Sequence, residues 1–171
     1  LFHPFSFFSD PASFSMWELC IDDILKVSDS LQYCEQIDQN RIYFFGHSLT
    51  AHFAPRIDSA GNFRGVILAA GNFRPLDSLV YDQYAYLAKF DETGEVQKAY
   101  EEFPEKMETL RHYLNPYTSP SVLPLPFPPA FWLDYLSYSP ARVAKSTSTP
   151  YLILQGEQDY QVPVQEYLLW K

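Results

Sequence analysis

Positive charge is scarce in this 171-residue chain: 12 Lys and Arg stand against 21 Asp and Glu, a formal net charge of −9. A protein that holds nucleic acid without regard to its sequence needs a basic excess to neutralise phosphates, so that class is set aside. Cysteine is nearly absent. Cys20 and Cys34 give neither a metal spacing nor a disulfide framework. Cys20 falls on the apolar side of a helical pattern and reads as a small buried hydrophobe. No apolar run approaches the ~18 residues that span a bilayer, and the opening Leu1-Phe-His-Pro4 lacks the basic start of a secretory leader. The chain begins at Leu1 and stops within a helical pattern at Leu168-Leu-Trp-Lys171. Both ends read as cut, so no compartment is inferred. Metal spacings and nucleotide-binding loops are also missing, and no cofactor is expected.

Hydrophobic residues make up 47% of the chain and charged residues 19%, a globular balance with enough length for one core. Residues 1–15 are aromatic, rich in Ser and Pro and aperiodic, as in a loop. From Met16 to about Leu31, Trp17, Cys20, Ile21, Ile24, Leu25, Ser28 and Leu31 recur at helical spacing opposite acidic positions. Ser15 with Glu18 forms a capping-box pair at the start of this amphipathic helix. Three short apolar runs, Arg41–Phe45, Gly65–Ala70 and Pro150–Gln155, suit strands buried on both faces of a parallel sheet with helices on either side. The fold class expected is therefore α/β, a parallel sheet with flanking helices.

About 80 residues between the second and third runs do not repeat the strand–helix unit. Asp77 to about Leu114 reads as helical, Asn115–Pro129 holds six of the 14 prolines, and Phe131–Lys145 is a short aromatic segment. So long an insertion suggests a cover over a site; the alternative is a helical excursion packed on the sheet edge. The division expected is 1–76 as core, 77–145 as a helical, Pro-rich lid, and 146–171 as the return to the core.

Chemistry concentrates at two strand ends. Gly46-His47-Ser48-Leu49-Thr50 follows the first strand and precedes a helix. A serine hydroxyl attacks well only when it is exposed, beside a base, and supplied with donors for the oxyanion. A strand–turn–helix elbow meets those needs, with the Leu49 N–H as one oxyanion donor. The bland alternative is Ser48 as a helix cap. Thr50 replaces the second glycine of such elbows, and its bulk raises the prospect of a displaced helix. At the other strand end, Gln155–Pro163 places Asp159, or less favourably Glu157, where an acid would orient an imidazole; here the alternative is Asp159 as a cap of the helix near Pro163. Ser before Asp is α/β-hydrolase order. No histidine follows Asp159: His3, His47, His52 and His112 all precede it. His47 reads as a pocket-shaping residue, His52 as surface or packing, and His112 as part of the lid. The base is therefore expected beyond Lys171, and the isolated chain is expected to lack turnover.

The stretch Gly46-His-Ser-Leu-Thr-Ala-His-Phe-Ala-Pro-Arg-Ile57 resembles the Gly-His-Ser-Leu-Gly-Gly-x-x-Ala-Pro-Arg-Ile elbow of a group of bacterial α/β-hydrolases described as dienelactone-hydrolase-like or S9-peptidase-like acyl hydrolases. Gly65–Leu76, Phe131-Trp-Leu-Asp134, Leu152–Val162 and Leu169-Trp-Lys171 are similar to the same group. The resemblance implies Ser48 as nucleophile, Asp159 as acid, the Leu49 N–H as oxyanion donor, and a cap between strands. Thr50 and Ala51 depart from its paired glycines. The function expected is hydrolysis of carboxylic esters through a Ser-His-Asp acyl-enzyme, with His47, Phe131 and Trp132 at the substrate. The alternatives are a peptidase on short peptides or a non-catalytic binding protein. The partner expected is a small-molecule ester or a short peptide, with no nucleic acid and no membrane span.

Overall fold

The three apolar runs form a parallel sheet in the order β1-β2-β3, with β1 at Tyr43–His47, β2 at Gly65–Ala69 and β3 at Tyr151–Leu154. The structure, a computed structural model, describes residues 14–171. Register runs from Tyr43↔Gly65 to His47↔Ala69 and from Val66↔Tyr151 to Ala69↔Leu154. β1 thus starts two residues later than its apolar run and carries the ladder through Gly46 and His47 to the turn at Ser48. The observed class is α/β, a three-stranded parallel sheet with flanking helices.

Burial of the strands on both faces is not observed. Phe44, Val66 and Leu68 are buried, and the helices after β1 pack over them. On the alternate positions, Tyr43, Phe45, Leu152 and Leu154 are between 46% and 58% exposed. Among the described residues, helices therefore cover one face of the sheet, and the apolar character of the other face misled the expectation. Period-2 alternation places these side chains on the uncovered side whatever their hydrophobicity.

The first helical pattern forms as read, with an altered first turn. Trp17–Ile21 is a π turn that leads into α1, Asp22–Leu31. The pair at its start is reciprocal: the Ser15 N–H donates to Glu18 Oε2 at 2.8 Å and the Trp17 N–H to Ser15 Oγ at 3.2 Å. The Ser15 hydroxyl also donates to Glu18, which holds the Glu18 carboxyl below its ordinary range. Cys20 is half-buried, and burial pushes its thiol up to about 11.

After β1 the chain makes α2, Leu49–His52, breaks at Phe53, and resumes as α3, Ala54–Ala60. Pro55 accounts for the break, because it has no N–H to return to the carbonyl of Ala51. α1 packs on α3. The insertion begins with α4, Leu76–Leu87, and α5, Glu95–Glu108, joined through Gly94 at φ 79°. These two helices pack together through Tyr81, Tyr84, Tyr100 and Phe103. Over 115–128 the prolines leave a single 3-10 turn at Pro120–Val122. α6, Pro129–Ser137, and α7, Pro140–Ala144, then bring the chain back to β3, and α8, Val164–Trp170, follows it.

α6 is fastened to α3 by Arg56, whose guanidinium donates to both oxygens of Asp134 at 2.9 and 2.8 Å and lies 4.4 Å above the Tyr138 ring. A partly buried, bidentate pair of this kind adds geometric definition that an exposed one lacks. One continuous core joins Phe44, Val66 and Leu68 of the sheet to Phe103, Leu110, Phe131 and Trp132 of the insertion.

Candidate active site around Ser48

Ser48 stands at the end of β1 with φ 55° and ψ −125°, a conformation that costs a non-glycine residue on the order of 1–3 kcal/mol. Its surroundings impose it. The Ser48 N–H donates to Ala69 O of β2 at 3.0 Å, and its carbonyl accepts from the His52 N–H at 3.1 Å. Its hydroxyl makes no capping bond to α2, which removes the reading of Ser48 as an ordinary helix cap. Leu49 opens α2, so its N–H has no acceptor one turn earlier in that helix.

The close approach between helix and strand falls at Ala51. A Cβ on Gly46 would stand 3.0 Å from Ala51 backbone atoms, and one on Gly71 would stand 2.7 Å from Ala51 Cβ. The residue that must be small is therefore Ala51, while Thr50 is only half-buried. Thr50 was the sequence feature that favoured a non-catalytic protein, and its bulk does not enter that contact.

Ser48 and Leu49 open onto a cavity of about 350 Å³. Its wall is largely apolar and comes mainly from α4 through Leu76, Leu79, Val80, Tyr84 and Leu87, with Leu125 from the Pro-rich segment; Asn72, Gln83 and Gln161 add polar groups. The loop after β3 is tied to the same helix. Gln83 Nε2 donates to Gln161 O at 2.8 Å, and Tyr86 stacks on Tyr160 at 4.9 Å. In that loop Asp159 Oδ1 accepts from the N–H groups of Gln161 and Val162 at 2.9 and 3.0 Å, and Oδ2 from Gln155 at 3.4 Å. These bonds fall before α8, so Asp159 shapes the loop and does not cap that helix. Asp159 does not line the Ser48 cavity, and Glu157 is exposed.

The remaining expected site residues lie elsewhere. His47 is exposed at the end of β1 and does not line the cavity; neither does His112, exposed on the π turn Thr109–Tyr113. Phe131 and Trp132 are fully buried, packed with Phe127 and Tyr135 beneath the surface of α6, and so belong to the core instead of the cavity wall. Among the described residues no hydrogen bond joins the Ser48 hydroxyl to a histidine ring, and no group of His, Cys, Asp and Glu is arranged to hold a metal ion.

A polar network beside Ser48 went unread in the sequence. The buried Asn72 donates through Nδ2 to Arg74 O at 2.8 Å and to the Tyr135 hydroxyl at 3.4 Å, which also accepts from the Leu76 N–H at 2.8 Å. His52 Nδ1 lies 2.7 Å from Asn72 O. Glu166 of α8, fully buried, accepts from the N–H groups of Phe73 and Arg74 at 2.8 and 2.9 Å and from Arg74 Nε at 2.6 Å, and Trp170 Nε1 donates to Gly71 O at 2.8 Å. The whole 71–76 loop is thereby clamped between α2, α6 and α8. Burial pushes the Tyr135 phenol well above its usual range, and burial pushes His52 down to about 4. No local pattern marks these residues, because all their partners but Arg74 O, two positions from Asn72, lie 20 to 99 positions away; the one cue is a polar Asn72 shortly after an apolar strand.

The chain matches no family model and no solved structure. It is 30% identical over 161 residues to Esterase EstD of Thermotoga maritima, a similarity that covers 94% of this chain and spans 37% of that protein's length.

Proposed function

We propose that the protein to which this chain belongs is a serine hydrolase of carboxylic esters, of the bacterial α/β-hydrolase type that its sequence resembles. One observation carries the reading: Ser48 is held at positive φ between strand and helix, its hydroxyl makes no capping bond, and it lines a cavity with both apolar and polar groups in its wall. Backbone states of this cost cluster at functional sites. The similarity to a protein named an esterase supports the same chemistry.

In this mechanism Ser48 Oγ attacks the ester carbonyl and loses its proton to a histidine that follows Asp159 in the protein. The carbonyl oxygen becomes an oxyanion that accepts from the Leu49 N–H. Collapse expels the alcohol, protonated by the imidazolium, and leaves an acyl-Ser48 that water then cleaves. Asp159 orients the imidazole, and its own loop is held by Gln155, Gln161 and Val162. The insertion acts as a lid, with α4 forming the wall against which an apolar acyl group lies. The same helix anchors the acid loop through Gln83 and Tyr86, so lid and acid move together.

The test is covalent trapping in the full-length protein. A fluorophosphonate should label the Ser48 peptide, and Ser48→Ala should abolish labelling while short p-nitrophenyl ester hydrolysis drops on the order of 10⁴-fold or more. Hydrolysis that survives Ser48→Ala, or an unlabelled Ser48 in an active protein, would overturn the proposal. The isolated 171-residue chain should show no turnover.

A further inference from the structure

Behind the 72–76 loop lies a second cavity, of about 190 Å³, which shares no lining residue with the one at Ser48. The loop is the partition: Asn72 and Leu76 face the Ser48 cavity, while Phe73 and Pro75 face the second. The rest of its wall comes from Tyr135, Leu136 and Tyr138 and from the start of α7. In this apolar lining sits one deeply buried ring with polar atoms to spare, His52, 2% exposed.

The hydrogen bonds of His52 define what it offers. Nδ1 is 2.7 Å from Asn72 O, a carbonyl that only accepts, so the ring proton resides on Nδ1 and Nε2 holds a lone pair. Among the described residues no hydrogen bond engages Nε2, and His52 lines the cavity. The two neighbouring phenols are engaged elsewhere. The Tyr138 hydroxyl donates to His52 O at 3.0 Å, and the Tyr135 hydroxyl takes the Leu76 N–H. Tyr135 also stacks nearly parallel on the imidazole, at 14° and 5.1 Å, so it covers a face of the ring, while Phe53 and Tyr138 stand perpendicular to it at 5.2 and 5.4 Å. The charged groups acting on the ring, Glu166 and Arg56, oppose each other, and burial keeps the imidazole neutral at physiological pH.

We propose that this cavity is a binding site for a small neutral molecule with one ring and one hydroxyl, a phenol, whose O–H donates to His52 Nε2 while the ring packs on Phe73, Pro75, Leu136 and Pro140. The volume suits it: an apolar cavity of about 150 Å³ accommodates benzene. A carboxylate is rejected, because a bare lone pair faces it and no cation lines the wall. A protonated amine is rejected, because it would lose its hydration with no counter-charge in reach. The site goes beyond the ester chemistry proposed for Ser48 and does not depend on it.

The experiment is a titration of the full-length protein with 4-fluorophenol, followed by ¹⁹F NMR and calorimetry. One-to-one binding is expected in the parent and, with unchanged affinity, in Ser48→Ala. Fluorobenzene, which lacks the donor, should bind about tenfold more weakly, the worth of one hydrogen bond to a buried acceptor, and 4-fluorobenzoate should not bind. His52→Phe should show the same loss for the phenol. Ala141→Leu, which fills the cavity from its half-buried rim and leaves His52 in place, should abolish binding even if His52→Phe fails to fold. Absence of saturable binding at millimolar phenol, equal affinity for fluorobenzene, or undiminished binding to Ala141→Leu would overturn the proposal. Binding lost in Ser48→Ala would also overturn it, by placing the ligand in the other cavity.

Discussion

Acidification should unfold this protein partly through one imidazole. His52 has its ordinary value near 6.5 in the unfolded chain and is pushed down to about 4 in the fold, chiefly by burial against Phe53, Tyr135 and Tyr138. Above about pH 6.5 it is neutral in both states and its contribution to stability is complete. As pH falls from 6.5 towards 4, the unfolded chain takes up a proton that the folded chain refuses, and stability drops. The slope approaches 1.4 kcal/mol per pH unit for one proton, and the 2.5-unit gap sums to about 3 kcal/mol. Below pH 4 the loss is complete. The assay is urea unfolding of the parent and of His52→Asn, whose side-chain amide keeps the N–H donated to Asn72 O. The variant has a fixed deficit from the lost ring. Its stability should nevertheless fall less steeply than the parent's between pH 6.5 and 4, so that the two curves converge by about 3 kcal/mol. Parallel curves across that interval would refute the reasoning, since they would mean that the imidazole accepts its proton without unfolding.

Three further outcomes follow from the contacts around Ser48. Gly71→Ala should destabilise by roughly 1–3 kcal/mol in urea unfolding, because its Cβ would meet that of Ala51 at 2.7 Å; combining it with Ala51→Gly should restore part of the loss, a coupling that distant sites do not show. Glu166→Ala strands two backbone N–H groups and weakens the hold on Arg74, and should cost about 3 kcal/mol or more in the same measurement. Ser48→Gly should raise the urea midpoint by an amount equivalent to about 1 kcal/mol, since glycine accepts φ 55°, ψ −125° freely and its greater unfolded-state freedom offsets part of the relief.

The parts of this structure that were legible in the sequence are those governed by near neighbours. The strands announced themselves as short apolar runs, and Ser15 with Glu18 formed the reciprocal pair that three-residue spacing implies. The strand–turn–helix path through Ser48 was legible because Gly46 and Ser48 sit between a strand run and a helical run. What went astray depends on what lies across the fold. Tyr43, Phe45, Leu152 and Leu154 are as apolar as core residues yet exposed, and only the arrangement of helices decides that. Phe131 and Trp132 were assigned to the substrate because the insertion is aromatic, but aromatic character does not say which side of α6 a ring takes. His52 and Glu166 appear in local sequence as ordinary helix residues; their roles come from Asn72 and Arg74, reached through long loops. Thr50 drew suspicion that belongs to Ala51, the residue of α2 that meets Gly46 and Gly71.

Pairing Val66 with Tyr151 spans the whole insertion, whereas Val66 and Phe44 are joined by a short helical crossover. Closing a loop of roughly 85 residues costs about 4 kcal/mol of chain entropy, about 1 kcal/mol more than closing one of roughly 22. The order this topology favours is assembly of β1 on β2 first, with the Ser48 N–H already bonded to Ala69 O, and docking of β3 only after α4 to α7 have shortened the path. Among the described residues β3 is four residues long, hydrogen-bonded to β2 alone, and half bare on its outer face. Ser48 thus follows a strand whose pairing closes a short loop, while the loop of Asp159 follows the strand whose pairing must close the long one.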